Sequence, residues 1–450
     1  MAEVWKRGTG FGDERLDARA ALMLEQITTT HSLVLDRFGA TRAGSLAAGR
    51  LLASDKVTPD TVLASQIART MAAVKGRRIV AAQDTTEINF AGRDARRRGL
   101  GPAGDGVSKG FFIHPVIAID ADAGDVLGLL AAHIWTRDDK KVADRHARTF
   151  DAKESARWLE GCALAAARGA AAASVCIVGD RESDIYPLFA RRPADCDLVV
   201  RASQDRTLAT GGKLFAAIAA FDVLGSALAT VASKGIGDKG RTARIALRAG
   251  RAVIAQPARQ KADGGPASIE LGFVEAVEVD PPAGVTPLHW RLVTTLPAAT
   301  LSDACEVVRL YRLRWRIEET FRTLKKDGMR LEETQVQEAH AVMNLAAFGL
   351  AAAIRIIQLV DARDGSTRPA TDLIAAADIA HVARISRSRE GATARQKNPW
   401  AEASLAWLAW VVARLGGWNC YYKPPGPKTM AHGWDRLGAM LDAMRLSDDG

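Results

Sequence analysis

Residues 311–325 read YRLRWRIEETFRTLK. Four polar side chains in this stretch recur near whole turns of a helix, namely Tyr311, Arg314, Glu318 and Lys325. At about 100° per residue they fall within roughly 60° of one helix face, beside an apolar stripe that would seat the helix against a core. The stretch predicts one helix that presents a carboxylate flanked by cations. A salt-bridged, solvated helix face has the same spacing and remains an alternative.

Two further carboxylates follow short apolar runs that predict strands. Asp84 follows the run RIVAAQ, and Asp180 follows the run VCIVG. Functional groups of open α/β sheets gather where strands end, although an aspartate at such a position can also be only a turn former or a helix N-cap. Together with Glu318, these aspartates could hold two divalent cations for in-line displacement at phosphorus.

Three segments resemble the acidic motifs of the DDE transposases: QDTT at 83–86, GDRESDIY at 179–186 and YRLRWRIEE at 311–319. The chain is most similar to the bacterial insertion-sequence-four family, the group that includes the transposon-five transposase. The helix signature of that group is Tyr, two residues, Arg, three residues, Glu, six residues, Lys, which residues 311–325 match at every position. Further similar segments, such as 198–201 and 286–290, extend the resemblance over most of the chain.

The resemblance implies a cut-and-paste transposase that cleaves transposon ends, through a hairpin intermediate, and transfers the strands into target DNA. It implies a two-metal Mg²⁺ site, in which Mn²⁺ could substitute, with Asp84, Asp180 and Glu318 as metal ligands and catalytic residues. It also implies a homodimer that holds double-stranded DNA ends and target DNA. The DNA contacts that it implies are Tyr311, Arg314, Lys325, Arg201 and Trp290, the last as the filler of the gap left by a flipped base.

The order of elements along the chain predicts the fold. Three antiparallel strands at 78–90, 111–120 and 126–135, then helix, strand, helix and strand, is the order of a ribonuclease-H-like mixed sheet core. A β-rich insertion is expected at about 204–300, where strand-like runs alternate with Pro and Gly breaks. The expected class is therefore α/β, with helical N- and C-terminal domains flanking the core.

We expect three domains. They are a helical DNA-end-binding domain at 1–72, a catalytic domain with its β insertion at 73–330, and a helical dimerisation region at 331–450. The helical character follows from apolar periodicity, whereas the end-binding and dimerisation roles are implied by the resemblance.

Composition limits the remaining possibilities. Lys and Arg outnumber Asp and Glu by 61 to 52 in a chain of 450 residues, which favours a polyanionic partner. The five cysteines form no CxxC pair, so neither a zinc site nor a disulfide framework is indicated. The N-terminal residues do not resemble a signal peptide, and the apolar stretch 343–360 is interrupted by polar residues and predicts a buried helix. We expect no membrane partner and a bacterial cytoplasmic, nucleoid-associated protein.

Two alternatives stay open. The first is a ribonuclease-H-fold nuclease that cuts without strand transfer, which would need the carboxylates but neither Trp290 nor paired DNA ends. The second is an inactive DNA-binding relic, for which loss of the three acidic residues would be neutral.

Overall fold

The computed structural model describes residues 11–92, 96–104, 106–137, 149–231, 240–258, 260, 265–325, 328–421 and 423–448, and this part of the chain is mixed α/β. The strands are β1 (Arg78–Gln83), β2 (Thr86–Asn89), β3 (Gly101–Pro102), β4 (Lys109–Asp120), β5 (Val126–Trp135), β6 (Ser174–Gly179), β7 (Cys196–Arg201), β8 (Val223–Val231), β9 (Arg241–Ala255), β10 (Ser268–Glu278) and β11 (His289–Thr294).

The α-helices alternate with these strands in the middle of the chain and dominate both ends. They are α1 (Glu14–Thr30), α2 (Leu35–Phe38), α3 (Arg42–Leu52), α4 (Pro59–Ala73), α5 (Ala156–Arg168), α6 (Tyr186–Arg191), α7 (Leu214–Ala219), α8 (Leu301–Leu313), α9 (Trp315–Leu324), α10 (Ala339–Ala362), α11 (Ile379–Arg389), α12 (Leu405–Leu415) and α13 (Pro427–Asp448).

These elements form two compact units, each assembled from segments that are separate in sequence. The first unit contains Met1–Lys75, Thr85–Lys141 and Arg316–Gly450, and the second contains Gly76–Asp84 and Val142–Trp315. Two of the four points at which the chain passes from one unit to the other lie directly after Asp84 and directly after Trp315, the neighbour of Arg314.

The second unit is built on a mixed sheet with the strand order β1-β6-β7-β11-β10-β9-β8. The strands β1, β6 and β7 are parallel, and the others pair as antiparallel neighbours. Apolar residues fill β6 and β7 because helices cover this part of the sheet, with α5 against β1 and β6 and α8 lying across most of the strands. The residues that end β1, β6 and β7 thus share one edge.

The β-rich character expected at about 204–300 is confirmed by β8 to β11. These strands do not form a layer of their own. Because β11 pairs antiparallel with β7, through Leu292 opposite Arg201 and Val293 opposite Val200, they extend the sheet that carries β1 and β6.

In the first unit, β4 pairs antiparallel with β2, β3 and β5, and α4 and α10 pack on β5. Among the described residues, α10 is the one helix long and apolar enough to cross a membrane, and 89% of its most apolar window is buried inside the protein. This burial confirms the core helix predicted at 343–360. The helices α11, α12 and α13 form a further apolar core around Trp407, Trp410 and Trp434.

Two elements that were predicted as continuous are interrupted in the structure. The strand expected at 78–90 is divided, since β1 ends at Gln83 and β2 begins at Thr86. Asp84 is held by a side-chain ion pair and Thr85 Oγ1 lies 2.9 Å from His114 Nδ1, so both residues make side-chain contacts at the point where the strand is interrupted.

The single helix expected over 311–325 is also interrupted. Helix α8 ends at Leu313 and α9 begins at Trp315. Between them, the N–H of Arg314 donates to the carbonyl of Tyr311 at 3.1 Å, which joins residues three apart, as in a 3₁₀ turn, and not four apart, as in an α-helix. The tight turn changes the rotation between neighbouring residues, and α9 ends at Leu324, one residue before Lys325. The four signature residues therefore do not form a row on one continuous helix.

Candidate active site

Asp84 and Asp180 stand at corresponding positions on neighbouring parallel strands. The last paired residues of β1 and β6 are Ala82 and Val178, and each aspartate follows two positions later. Adjacent strands lie about 4.8 Å apart, so the register brings two carboxylates that are 96 residues apart in sequence to one sheet edge. Apolar residues of both strands are buried along their length, which holds this pair of strands in the core of the sheet.

Arg201 extends the same edge on the third parallel strand. Gly179 pairs with Val200, so Arg201, the last residue of β7, lies beside the position of Asp180. Its Nη2 donates to the carbonyl oxygen of His289 at 3.3 Å. Two acidic residues, Asp84 and Asp180, and one basic residue, Arg201, thus lie in a row at this edge.

Arg314 contacts Asp84 directly. Its Nη1 lies 2.7 Å from Asp84 Oδ2, and both side chains are 13% exposed. Charge-assisted hydrogen bonds of this length are stronger than neutral ones. In this structure the guanidinium therefore neutralises one of the two aspartates.

Tyr311 and Trp290 lie together on the face of the sheet that α8 covers. Tyr311 is buried, and its ring meets that of Trp290 edge to face at a centroid distance of 5.9 Å. Trp290 is half-buried on β11, opposite Ala276 of β10. Tyr311 thus contacts Trp290 and also lies near Arg314, whose guanidinium carbon is 5.9 Å from the centroid of the Tyr311 ring.

Glu318 and Lys325 belong to the first unit. Glu318 is in the first turn of α9, where a carboxylate is favoured by the helix dipole. Lys325 donates to Thr86 Oγ1 at 3.2 Å and lies 3.8 Å from Glu332 Oε1. Lys325 is thus tied to the strand that begins two residues after Asp84.

The start of α9 is anchored by Arg316. Its Nη1 lies 2.8 Å from Glu319 and 3.0 Å from Asp361 Oδ1, and its Nε donates to the carbonyl of Gly124. Asp361 also accepts from the N–H of Val126 at 3.0 Å. Burial raises the pKa of Asp361 to about 7, against the opposing influence of Arg316 and the Val126 hydrogen bond.

The two aspartates of the GDRESD segment have different surroundings. Asp180 Oδ1 accepts from the N–H of Glu182 at 2.8 Å, which caps a short 3₁₀ turn. Asp184 is buried, pairs with Arg206, and accepts from the N–H groups of Ser203 and Gln204 at 2.7 and 2.8 Å. Because these groups bond to its carboxylate oxygens, Asp184 fixes the position of the segment after β7. The carboxylate of Asp180 can still accept further hydrogen bonds or bind a cation.

A basic pocket of about 250 Å³ lies near Arg201, lined by Arg181, Ala202, Ser203, Phe215, His289 and Arg291. It is organised by the buried carboxylate of Glu275, which is 2.8 Å from His289 Nε2 and 3.0 Å from Arg291 Nε. Burial opposes ionisation of Glu275, but hydrogen bonds from His289 and Arg291 lower its pKa. Arg291 also lies 4.4 Å from the Phe215 ring centroid, so its guanidinium is held in place.

Strand alternation separates this pocket from Trp290. His289 and Arg291 point to one face of β11 and Trp290 to the other. Sequence reasoning did not single out Arg181, His289 or Arg291. The alternating pattern HWRLVT was the available signal, but only the contacts with Glu275 and Phe215 reveal a pocket.

The donor chemistry of the strand edge suits a hard divalent cation. Carboxylate oxygens are the preferred protein ligands of Mg²⁺, and Asp84 and Asp180 supply them side by side. No group of three or more His, Cys, Asp or Glu side chains arranged to hold a metal ion occurs within the described part of the chain. A cation at Asp84 would compete with Arg314 for Oδ2 of this carboxylate.

A family model described as a transposase DDE domain matches residues 76–354, more than half of the chain. The chain therefore belongs to the DDE transposase family. This membership defines a DNA-cleaving enzyme class that acts in transposition and is metal-dependent in general. The matched range includes Asp84, Asp180 and the whole stretch 311–325.

Proposed function

We propose that this protein is a cut-and-paste transposase of the insertion-sequence-four group, with a ribonuclease-H-like core that cleaves transposon ends through a hairpin and joins them to target DNA. The observation that carries the proposal is the alignment of Asp84 and Asp180 at the ends of β1 and β6 inside the matched domain. A binding module would have no need of two carboxylates on one sheet edge next to a competing arginine.

Asp84, Asp180 and Glu318 are the proposed ligands of two Mg²⁺ ions, for which Mn²⁺ can substitute. The bound ions would activate water and then a 3′-hydroxyl, and would stabilise the leaving oxygen. The protein's own contribution is to hold two of these carboxylates at the ends of neighbouring paired strands, which fixes the spacing of the two carboxylates before the cation binds.

Arg314 has two proposed partners in turn. Without DNA it pairs with Asp84. Once that carboxylate binds metal, the guanidinium becomes available to a phosphate near the scissile bond, for which its planar fork is suited. Tyr311 and Lys325 are proposed to contact neighbouring phosphates.

Trp290 is the proposed filler of the gap left by a flipped base, since unstacking a base costs a few kcal/mol that an aromatic side chain can offset. Arg201 is proposed to contact the DNA end. Support comes from its position beside Asp180 and from the basic pocket, which Arg201 lines together with Arg181 and Arg291. Such cations bind phosphates without reading sequence.

The roles of the flanking helices are proposals from the resemblance. Residues 1–72 would recognise the transposon end, with residues 1–10 outside the described range, and residues 331–450 would hold a homodimer around two double-stranded DNA ends and the target. The proposed location is the bacterial cytoplasm, in association with the nucleoid.

The test incubates purified protein with Mg²⁺ and labelled DNA that carries the inverted repeats flanking its gene. Asp180→Asn should abolish nicking and hairpin formation, while Glu182→Gln, a matched change two residues away on an exposed side chain, should leave both intact. Cutting without end preference would favour a nuclease that lacks strand transfer. Binding without cutting in the unmodified protein would favour an inactive relic.

A further inference from the structure

Two segments near the end of the chain carry most of its excess positive charge. They are residues 384–397, which run from α11 into the following loop, and residues 414–421 with Lys423, which follow α12. Together they contain seven arginine and lysine residues and one carboxylate, Glu390, so their net charge of +6 is two-thirds of the chain's formal +9. We call these two segments the C-terminal basic surface. None of their residues belongs to the proposed active site.

Hydrogen bonds hold the two segments side by side. Arg414, in the last turn of α12, donates through Nε and Nη2 to the carbonyl of Arg389, the last residue of α11, at 3.2 and 2.9 Å. The hydroxyl oxygens of Thr393 and Tyr421 lie 2.7 Å apart, which joins the loop after α11 to the segment after α12. The cations of both segments therefore belong to one continuous surface of the first unit.

Most of these cations have no carboxylate partner. Glu390 is paired with Lys397 at 3.3 Å, and the guanidinium of Arg414 donates to backbone carbonyls. The other five side chains are exposed, and within the described ranges none of them makes an ion pair or a side-chain hydrogen bond: Arg384, Arg387, Arg389, Arg395 and Lys423. Arg384 and Arg387 are three residues apart on α11, so their like charges are neighbours on the helix surface. A bound anion would relieve this repulsion.

Neither the helix dipole nor a second copy of the chain accounts for this charge. The dipole favours Arg387 and Arg389, in the last turn of α11, but not Arg384 or Lys423, which lie outside that turn. In a two-fold dimer the same patch of both copies meets at the interface, so this surface on the two-fold axis would face its own like charges. A dimer formed by residues 331–450 would therefore use another face, which leaves the C-terminal basic surface open to a polyanion.

We propose that the C-terminal basic surface binds the phosphate backbone of the target DNA. This inference rests on the proposed function, in which cleaved ends are joined to a target duplex. Contacts from arginine and lysine to phosphates position a duplex without reading its sequence, which suits a target that shares no sequence with the transposon ends. Duplex DNA presents one negative charge per about 1.7 Å of its length. It therefore offers phosphates to cations that are spread over two segments, as a small anion cannot.

The first experiment measures the affinity of the full chain for a labelled duplex without inverted repeats, over a range of monovalent salt and without divalent cations. Each phosphate contact contributes about −0.9 to the slope of log K against log salt concentration. Arg384→Gln, Arg387→Gln and Arg395→Gln, made singly, should each make the slope about 0.9 shallower, with an about eightfold loss of affinity at about 0.1 M salt that vanishes towards about 1 M. Lys75→Gln, the same charge change at an exposed residue elsewhere, should keep the wild-type slope. Wild-type slopes in all three arginine variants would overturn the proposal.

The second experiment separates the target from the transposon end. A variant with all three substitutions is given Mg²⁺, pre-cleaved labelled ends and a plasmid target. Joining at low plasmid concentration should fall at least about tenfold and recover at saturating plasmid, which a folding defect would not allow, while nicking of intact ends should match the wild type. An equal loss of nicking would assign the surface to the transposon end and overturn the target role. A wild type that joined no ends would refute the proposed function itself, and the salt slopes would still show whether this surface binds DNA.

Discussion

Replacing Arg314 by glutamine should strengthen metal binding in the absence of DNA. In the structure, Arg314 Nη1 lies 2.7 Å from Asp84 Oδ2, so a cation that binds this carboxylate competes with the guanidinium for that oxygen. The substitution removes both the competing donor and a positive charge that repels the cation. The variant should nevertheless cleave DNA poorly, because it loses a proposed phosphate contact.

The hydrogen bond between Arg314 and Asp84 sets the size of the expected change in Mn²⁺ affinity. A hydrogen bond to a charged group contributes roughly 1.5–3 kcal/mol, and about 1.4 kcal/mol corresponds to a tenfold change in a binding constant. Because both side chains are partly exposed, solvent screening favours the lower end of this range. We therefore expect Mn²⁺ to bind Arg314→Gln about tenfold more tightly than wild type.

The assay is titration of Mn²⁺ followed by electron paramagnetic resonance of the free ion. Arg312→Gln is the control, since Arg312 is an exposed arginine two residues before Arg314, near the end of α8, and donates to the carbonyl of Thr230. Asp84→Asn should abolish the tight site. An Mn²⁺ affinity that is unchanged or weaker in Arg314→Gln would refute the competition between arginine and metal.

Three further results are expected. Trp290→Ala should slow hairpin formation more than the first nick on an end-labelled substrate, and equal slowing of both steps would contradict a role in base flipping. Asp361→Asn should flatten the dependence of stability on pH. Because the folded-state pKa of Asp361 is raised to about 7, the wild type should lose stability as pH rises from about 4 to 7, by at most about 1.4 kcal/mol per pH unit. Glu275→Gln should change the pH dependence in the opposite sense, because the folded-state pKa of Glu275 is lowered. The stability that such a carboxylate contributes is present above the unfolded-state pKa and is lost as pH falls through the folded-state pKa. The variant should therefore lose less stability than the wild type in acid-unfolding curves.

Much of the secondary structure was predictable from local sequence. The strand expected at 126–135 coincides with β5, and the buried helix expected at 343–360 lies within α10. Apolar periodicity encodes such features within a few neighbouring residues. The two errors of continuity, at Asp84 and Arg314, involve one ion pair between residues 230 positions apart, which no local pattern records.

The sequence by itself determined the chemistry available to this protein: carboxylates after apolar strands, a signature of Tyr, Arg, Glu and Lys, and an excess of positive charge. Only the tertiary structure decided that Asp84 and Asp180 share a sheet edge with Arg201 and that Arg314 pairs with Asp84. The physical reason is that residue types and periodicity are local properties, whereas strand register, ion pairing and cavity lining arise when distant segments bury their apolar faces together.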